Sequence, residues 1–131
     1  MRSDPILYDA DCGFCRWSLG VVLAWDRRGA LRPVALQDPE ADELLGDVPA
    51  AERMESWHLV TADGLASAGA AAAPLLRRLP GGRPLAALAA RFPRATERGY
   101  RWIADNRSAF SRAVPRRAIS RADRRIARRR A

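Results

Sequence analysis

Ile6-Leu7-Tyr8-Asp9-Ala10-Asp11-Cys12-Gly13-Phe14-Cys15-Arg16-Trp17 is the stretch that decides the fold. Three consecutive apolar residues followed by Asp9-Ala10-Asp11 read as a short strand running into a turn. From Gly13 to about Arg28 a helix is expected. Its apolar residues Phe14, Cys15, Trp17, Leu19, Val21, Val22, Leu23 and Trp25 cover more than half of a helical wheel. Such a helix is buried, as one packed on a sheet would be. Asp9 or Asp11 is placed to cap its first amides. Two cysteines therefore stand where a strand ends and a helix begins.

That position has chemical consequences. A helix N-terminus presents free N–H groups and partial positive charge, both of which favour a thiolate. Cys12 and Cys15 are one turn apart, so both sulfurs lie on one face. A bond between them would close almost no loop and would add little stability. The pair reads instead as a redox-active dithiol, with Cys12 attacking a substrate sulfur and Cys15 resolving the mixed disulfide. Asp9 and Asp11 complete the candidate site. Negative charge raises a thiol pKa, and an aspartate is also a candidate proton acceptor for a buried thiol.

Competing readings of these residues are weaker. Two cysteines and the single His58 fall short of the four ligands of structural zinc. No metal or cofactor is implied. The Asp9-Ala10-Asp11 spacing also occurs in dehalogenase-type phosphatases, but those need a lysine and the chain has none. His58, within an expected strand, reads as structural.

Outward from this stretch, Leu31–Leu36 reads as a second strand, with Pro33 favouring an edge position. A short helix is expected from Pro39 to about Leu45 and another turn over 48–53. Ser56–Thr61 and Leu65–Ser67 flank Ala62-Asp63-Gly64 as a hairpin. Helices are expected over 69–79, 84–91 and 95–106, with Pro93 as a breaker. Trp57, Tyr100 and Trp102 read as packing residues. Strand–helix–strand forces a parallel right-handed crossover, and the hairpin adds an antiparallel edge. The expected architecture is α/β and thioredoxin-like, a four-stranded mixed sheet flanked by helices, with extra C-terminal helices.

The chain of 131 residues carries 23 basic and 15 acidic residues, for a net charge of +8. Residues 1–111 balance, whereas residues 112–131 hold nine arginines and one acid, Asp123. The division expected is a domain over 1–110 and an Arg-rich tail over 111–131, a solvated terminus or a basic helix. Such a tail invites contact with an anionic membrane or nucleic acid. No apolar run is long enough to cross a bilayer and no signal peptide is visible. A cytoplasmic protein is expected.

Tyr8-Asp9-Ala10-Asp11-Cys12-Gly13-Phe14-Cys15-Arg16-Trp17 resembles the signature of the DCC (DUF393) family of thiol-disulfide oxidoreductase-like proteins. The resemblance continues through Leu36-Gln37-Asp38-Pro39, Glu52-Arg53-Met54, His58-Leu59-Val60, Leu79-Pro80-Gly81-Gly82, Tyr100-Arg101-Trp102 and Asn106-Arg107. It spans about residues 5–110. It implies a thioredoxin-like fold and exchange with protein or small-molecule disulfides. Ala10 stands where that family carries glycine. Met54-Glu55-Ser56 stands where thioredoxins place a proline facing the cysteines. The alternative expectation is a non-enzymatic thioredoxin-fold module that docks on a membrane or partner through its basic tail.

Overall fold

The computed structural model describes residues 3–46, 48–54 and 56–130. Glu55, in the segment expected to replace the thioredoxin proline, lies outside the described residues.

Strand β1 (Asp4–Tyr8) leads through the Asp9–Asp11 turn into helix α1 (Gly13–Trp25), which returns to β2 (Leu31–Ala35). β1 and β2 pair in parallel, Ile6 beside Pro33 and Tyr8 beside Ala35. Helices α2 (Pro39–Leu44) and α3 (Ala50–Arg53) precede the hairpin of β3 (His58–Thr61) and β4 (Gly64–Ser67). β3 is antiparallel to both β1 and β4, giving the order β2-β1-β3-β4. This is the expected α/β thioredoxin-like sheet, and Pro33 does lie on an edge strand.

Strand alternation divides the core between the two faces. Ile6 and Tyr8 of β1 pack with Leu19 and Leu23 of α1, and with Leu75 and Leu79 around α4 (Ala72–Arg78). Leu7 and Val34 point the other way, onto Ala41 and Leu45 at α2. Helices α5 (Arg83–Arg91), α6 (Pro93–Asp105), α7 (Arg107–Ala113) and α8 (Arg116–Arg130) follow.

Several boundaries differ from the sequence reading for local reasons. α1 stops at Trp25 because the Asp26 carboxylate accepts from the backbone N–H of Ala30 and Leu31, at 3.0 and 2.9 Å. Pro93 ends the preceding helix as expected, α5 stopping at Arg91, and it also opens α6, two residues earlier than expected, since the first helical position needs no N–H partner. The helix expected from Gly69 opens with a 3₁₀ turn, Ala68–Ala71, before α4.

Of the two forms expected for the Arg-rich tail, the structure shows the helix. It is an ordered helix laid along α1. Ala122 and Ile126 are buried, and Ile126 belongs to the same core as Leu19 and Leu23. Gly20 permits this approach, because a Cβ there would lie 2.5 Å from Ala122 Cβ. Ile119, Ala122 and Ile126 recur at helical spacing and form an apolar stripe on an otherwise arginine-covered helix. A solvated terminus, the other form the charge allowed, gives way to three apolar residues that have a place to go.

Candidate active site

The β1–α1 junction puts both cysteines where the sequence indicated. Cys12 is the N-cap of α1, with extended backbone (φ −102°, ψ 113°), and its Sγ accepts from the Cys15 backbone N–H at 3.2 Å. Cys12 itself thus supplies the capping acceptor expected from Asp9 or Asp11. The reason is geometric: Cys12 occupies the capping position and the aspartates precede it.

Those aspartates are engaged elsewhere. Asp9 Oδ1 accepts from the Asp11 N–H at 2.9 Å and from Gln37 Nε2 at 2.9 Å. The same Nε2 lies 3.2 Å from Asp11 Oδ2, and Gln37 Oε1 accepts from the Ala10 N–H at 3.1 Å. Gln37, just past β2, clamps the whole turn. Ala10 is not among the residues with positive φ, so replacing glycine there carries no left-handed strain.

Two residues distant in sequence complete the surroundings of the cysteines. Ser111, on α7, has Oγ 3.1 Å from the Phe14 N–H and 3.8 Å from Cys12 Sγ. Since its oxygen accepts from Phe14, its own hydrogen is free to point at the sulfur. Arg107 opens α7 and donates to the Met54 carbonyl at 3.3 Å, beside the segment leading to β3. Its positive charge also acts on both cysteines.

These contacts split the two thiols. Hydrogen bonding from Cys15, with lesser help from Ser111 and Arg107, lowers the Cys12 pKa to about 6 against the opposing effect of burial. Cys15 moves the other way: its hydrogen bond to Cys12, its burial and the Cys12 charge all favour the protonated thiol. At neutral pH the pair therefore holds one proton, on Cys15, and one negative charge, on Cys12. This is the division of labour that exchange requires, an exposed-side nucleophile and a protonated partner behind it.

Ser111 and Arg107 were not assigned as site residues from sequence. Arg107 carried a signal, the Asn106-Arg107 pair in the family resemblance. Asn106 is local, its side chain donating to the Trp102 carbonyl at 2.7 Å. Ser111 carried none beyond lying at the edge of the resemblance. His58 is structural: buried, with Nε2 3.0 Å from the Arg53 carbonyl and Nδ1 2.5 Å from Ser67 Oγ. The carbonyl can only accept, so Nε2 carries the proton, and burial lowers the ring's pKa. Trp57 and Tyr100 pack against each other, centroids 6.1 Å apart, and Trp102 packs edge-on against Phe110, centroids 5.7 Å apart, while staying 62% exposed.

A family model described as DCC1-like thiol-disulfide oxidoreductase matches residues 6–113. No curated protein and no solved structure matches the chain.

Proposed function

From the chain's membership in the DCC1-like thiol-disulfide oxidoreductase family, we propose that it is an enzyme exchanging electrons with disulfides through Cys12 and Cys15. The observation that carries this reading is the polarised pair at the head of α1, with Cys12 accepting from the Cys15 N–H and approached by the Ser111 hydroxyl. The Cys12 thiolate attacks one sulfur of a substrate disulfide, and the other leaves as a thiolate. In the mixed disulfide Cys12 is no longer a thiolate acceptor, so the hydrogen bond that chiefly holds the proton on Cys15 is weakened and the neighbouring charge is gone. Cys15 then loses its proton and attacks Cys12 Sγ. The Cys12–Cys15 disulfide forms and the second substrate sulfur leaves. The substrate gains two electrons and leaves as two thiolates, which take up the one proton released from Cys15 and one from solvent, and the reverse sequence oxidises a dithiol.

Asp9 is the carboxylate lining the same cavity as Cys15, and we assign it the proton that Cys15 gives up. Asp11 is a positioning residue, holding Asp9 through Gln37. The test is a Cys15→Ser variant incubated with an oxidised substrate pool. A mixed disulfide on Cys12 should accumulate, visible by intact mass and released by dithiothreitol. A Cys12 that reacts with iodoacetamide yet captures neither a protein nor glutathione overturns the reading.

A second, non-enzymatic reading rests on α8. Arg116, Arg117, Arg121, Arg124, Arg125 and Arg128 are exposed, and none is in an ion pair among the described residues. At 3.6 residues per turn they spread over the half of the helix opposite Ala122 and Ile126. Because that apolar face is already buried on α1, the helix cannot insert into a bilayer, and the remaining surface suits purely electrostatic contact with a polyanion. Retention on duplex DNA or on phosphatidylglycerol vesicles should fall steeply between 50 and 200 mM salt. An R117E/R121E/R124E variant should lose it. Equal retention by that variant removes this reading.

A further inference from the structure

A cavity of about 230 Å³ opens beside the dithiol, between the start of α1, the residues ahead of β3, and α6. Phe14, Leu19, Trp57, Tyr100 and Ile103 give it apolar walls, and Cys15 forms part of one side. The indole N–H of Trp57 is already paired, and the Tyr100 oxygen is engaged as an acceptor while its hydrogen stays free to donate. Tyr100 Oη accepts from the Trp57 N–H at 3.0 Å, and Trp57 Nε1 donates to the Ala68 carbonyl at 3.2 Å. Apart from that one hydroxyl hydrogen, what the rings offer an occupant is apolar surface. The charged groups at the cavity sit at its cysteine side, Asp9 held by Gln37 and Arg107 donating to the Met54 carbonyl, so the apolar walls lie away from them.

Size narrows the occupant. An apolar cavity of about 150 Å³ is known to take benzene, so this one takes a single ring with a short linker. Aromatic walls favour an aromatic guest, which packs on them offset or edge-on. The cavity adjoins Cys15 rather than lying elsewhere on the surface, so a guest there is held next to the reacting sulfurs.

We propose that this cavity is a substrate subsite for one aromatic side chain carried beside the reacting sulfur of the disulfide. The proposal rests on the exchange reading above. It turns a general dithiol into one that discriminates by the group flanking the sulfur, and the exchange chemistry is otherwise unchanged.

The test compares the homodimeric disulfides of acetyl-Cys-Phe-amide and acetyl-Cys-Ser-amide, whose reacting thiols are alike. Rates with the reduced protein are divided by rates with free dithiothreitol. The Phe peptide should be favoured by on the order of tenfold or more, since burying an aromatic group is among the larger apolar gains. Ala104→Trp, which puts a ring into the cavity, should bring the ratio close to one. Because that variant can perturb α6, a second measurement uses the unaltered protein: free 4-methylphenol should slow the Phe peptide selectively. Equal rates for both peptides, with no effect of 4-methylphenol, overturn the subsite while leaving exchange intact. Exchange of neither peptide, nor of glutathione disulfide, overturns the exchange reading and the subsite with it.

Discussion

Cys12→Ser brings disulfide exchange down to the uncatalysed rate, and in the unaltered protein Cys12 alkylates with a midpoint at about pH 6. The thiolate is the reactive species, so the rate climbs as pH rises through that value and is flat above neutrality. A free cysteine would still be climbing at ~8.5. The low midpoint arises from donors converging on one sulfur: the groups of Cys15, the Ser111 hydroxyl and the Arg107 charge. Burial works against them. Ser111→Ala removes the donor that crosses from α7, at 3.8 Å from the sulfur. A hydrogen bond to a charged group is worth ~1.5–3 kcal/mol, and one pH unit is ~1.4 kcal/mol, so this long contact should shift the midpoint upward by about one unit. Ser111→Thr, which keeps the hydroxyl, should restore it. Iodoacetamide kinetics from pH 4 to 9 read all three forms. An unchanged midpoint in Ser111→Ala would reduce that residue to a cap on the Phe14 N–H.

Arg129→Ala lowers stability by about 3–5 kcal/mol, the usual cost of orphaning a buried charge. Asp26 is 0% exposed, and its Oδ2 meets Arg129 Nη1 at 2.6 Å. Arg129 also donates to the carbonyls of Leu23, Asp26 and Leu31, at 3.1, 3.1 and 3.2 Å. One guanidinium thus ties the end of α1, the start of β2 and α8 together, and its five donors in a fixed plane suit that task where lysine would not. Arg128→Ala is the control. Its side chain is exposed, and its loss should change stability by no more than ~0.5 kcal/mol. Urea denaturation of the two variants separates them cleanly. Equal midpoints would mean that α8 is only loosely attached. The same logic applies to truncation at residue 115, which takes away Arg129, Ala122 and Ile126 together. It should destabilise the domain rather than merely remove an address.

The element order, the edge placement of β2 and the dithiol at the head of α1 were all legible from residues a few positions apart. Apolar runs, helical spacing and turn residues act over one or two turns of chain, so they leave a local pattern. The contact between Cys12 and Cys15 is of this kind, because an N-cap sulfur and the amide three residues on meet within one helical turn. The cap differs from the sequence expectation because Cys12 itself occupies the capping position and its sulfur accepts where Asp9 or Asp11 was expected to.

What tertiary structure alone decided lies about a hundred residues away along the chain. Ser111 reaches Cys12 only because α7 crosses the head of α1. Nothing in a serine near a helix end announces that contact. Arg129 is one of nine arginines in its segment and differs from Arg128 only in pointing inward, a property of packing and not of residue type. The α8 stripe of Ile119, Ala122 and Ile126 was visible, but beside nine charges it pointed to a helix only if a partner face existed. Gly20 on α1 provides that face by omitting a side chain. The place of Cys12 and Cys15 at the head of α1 was therefore readable from the sequence, while the hydroxyl, the cation and the helix around them came from contacts that only the folded chain brings together.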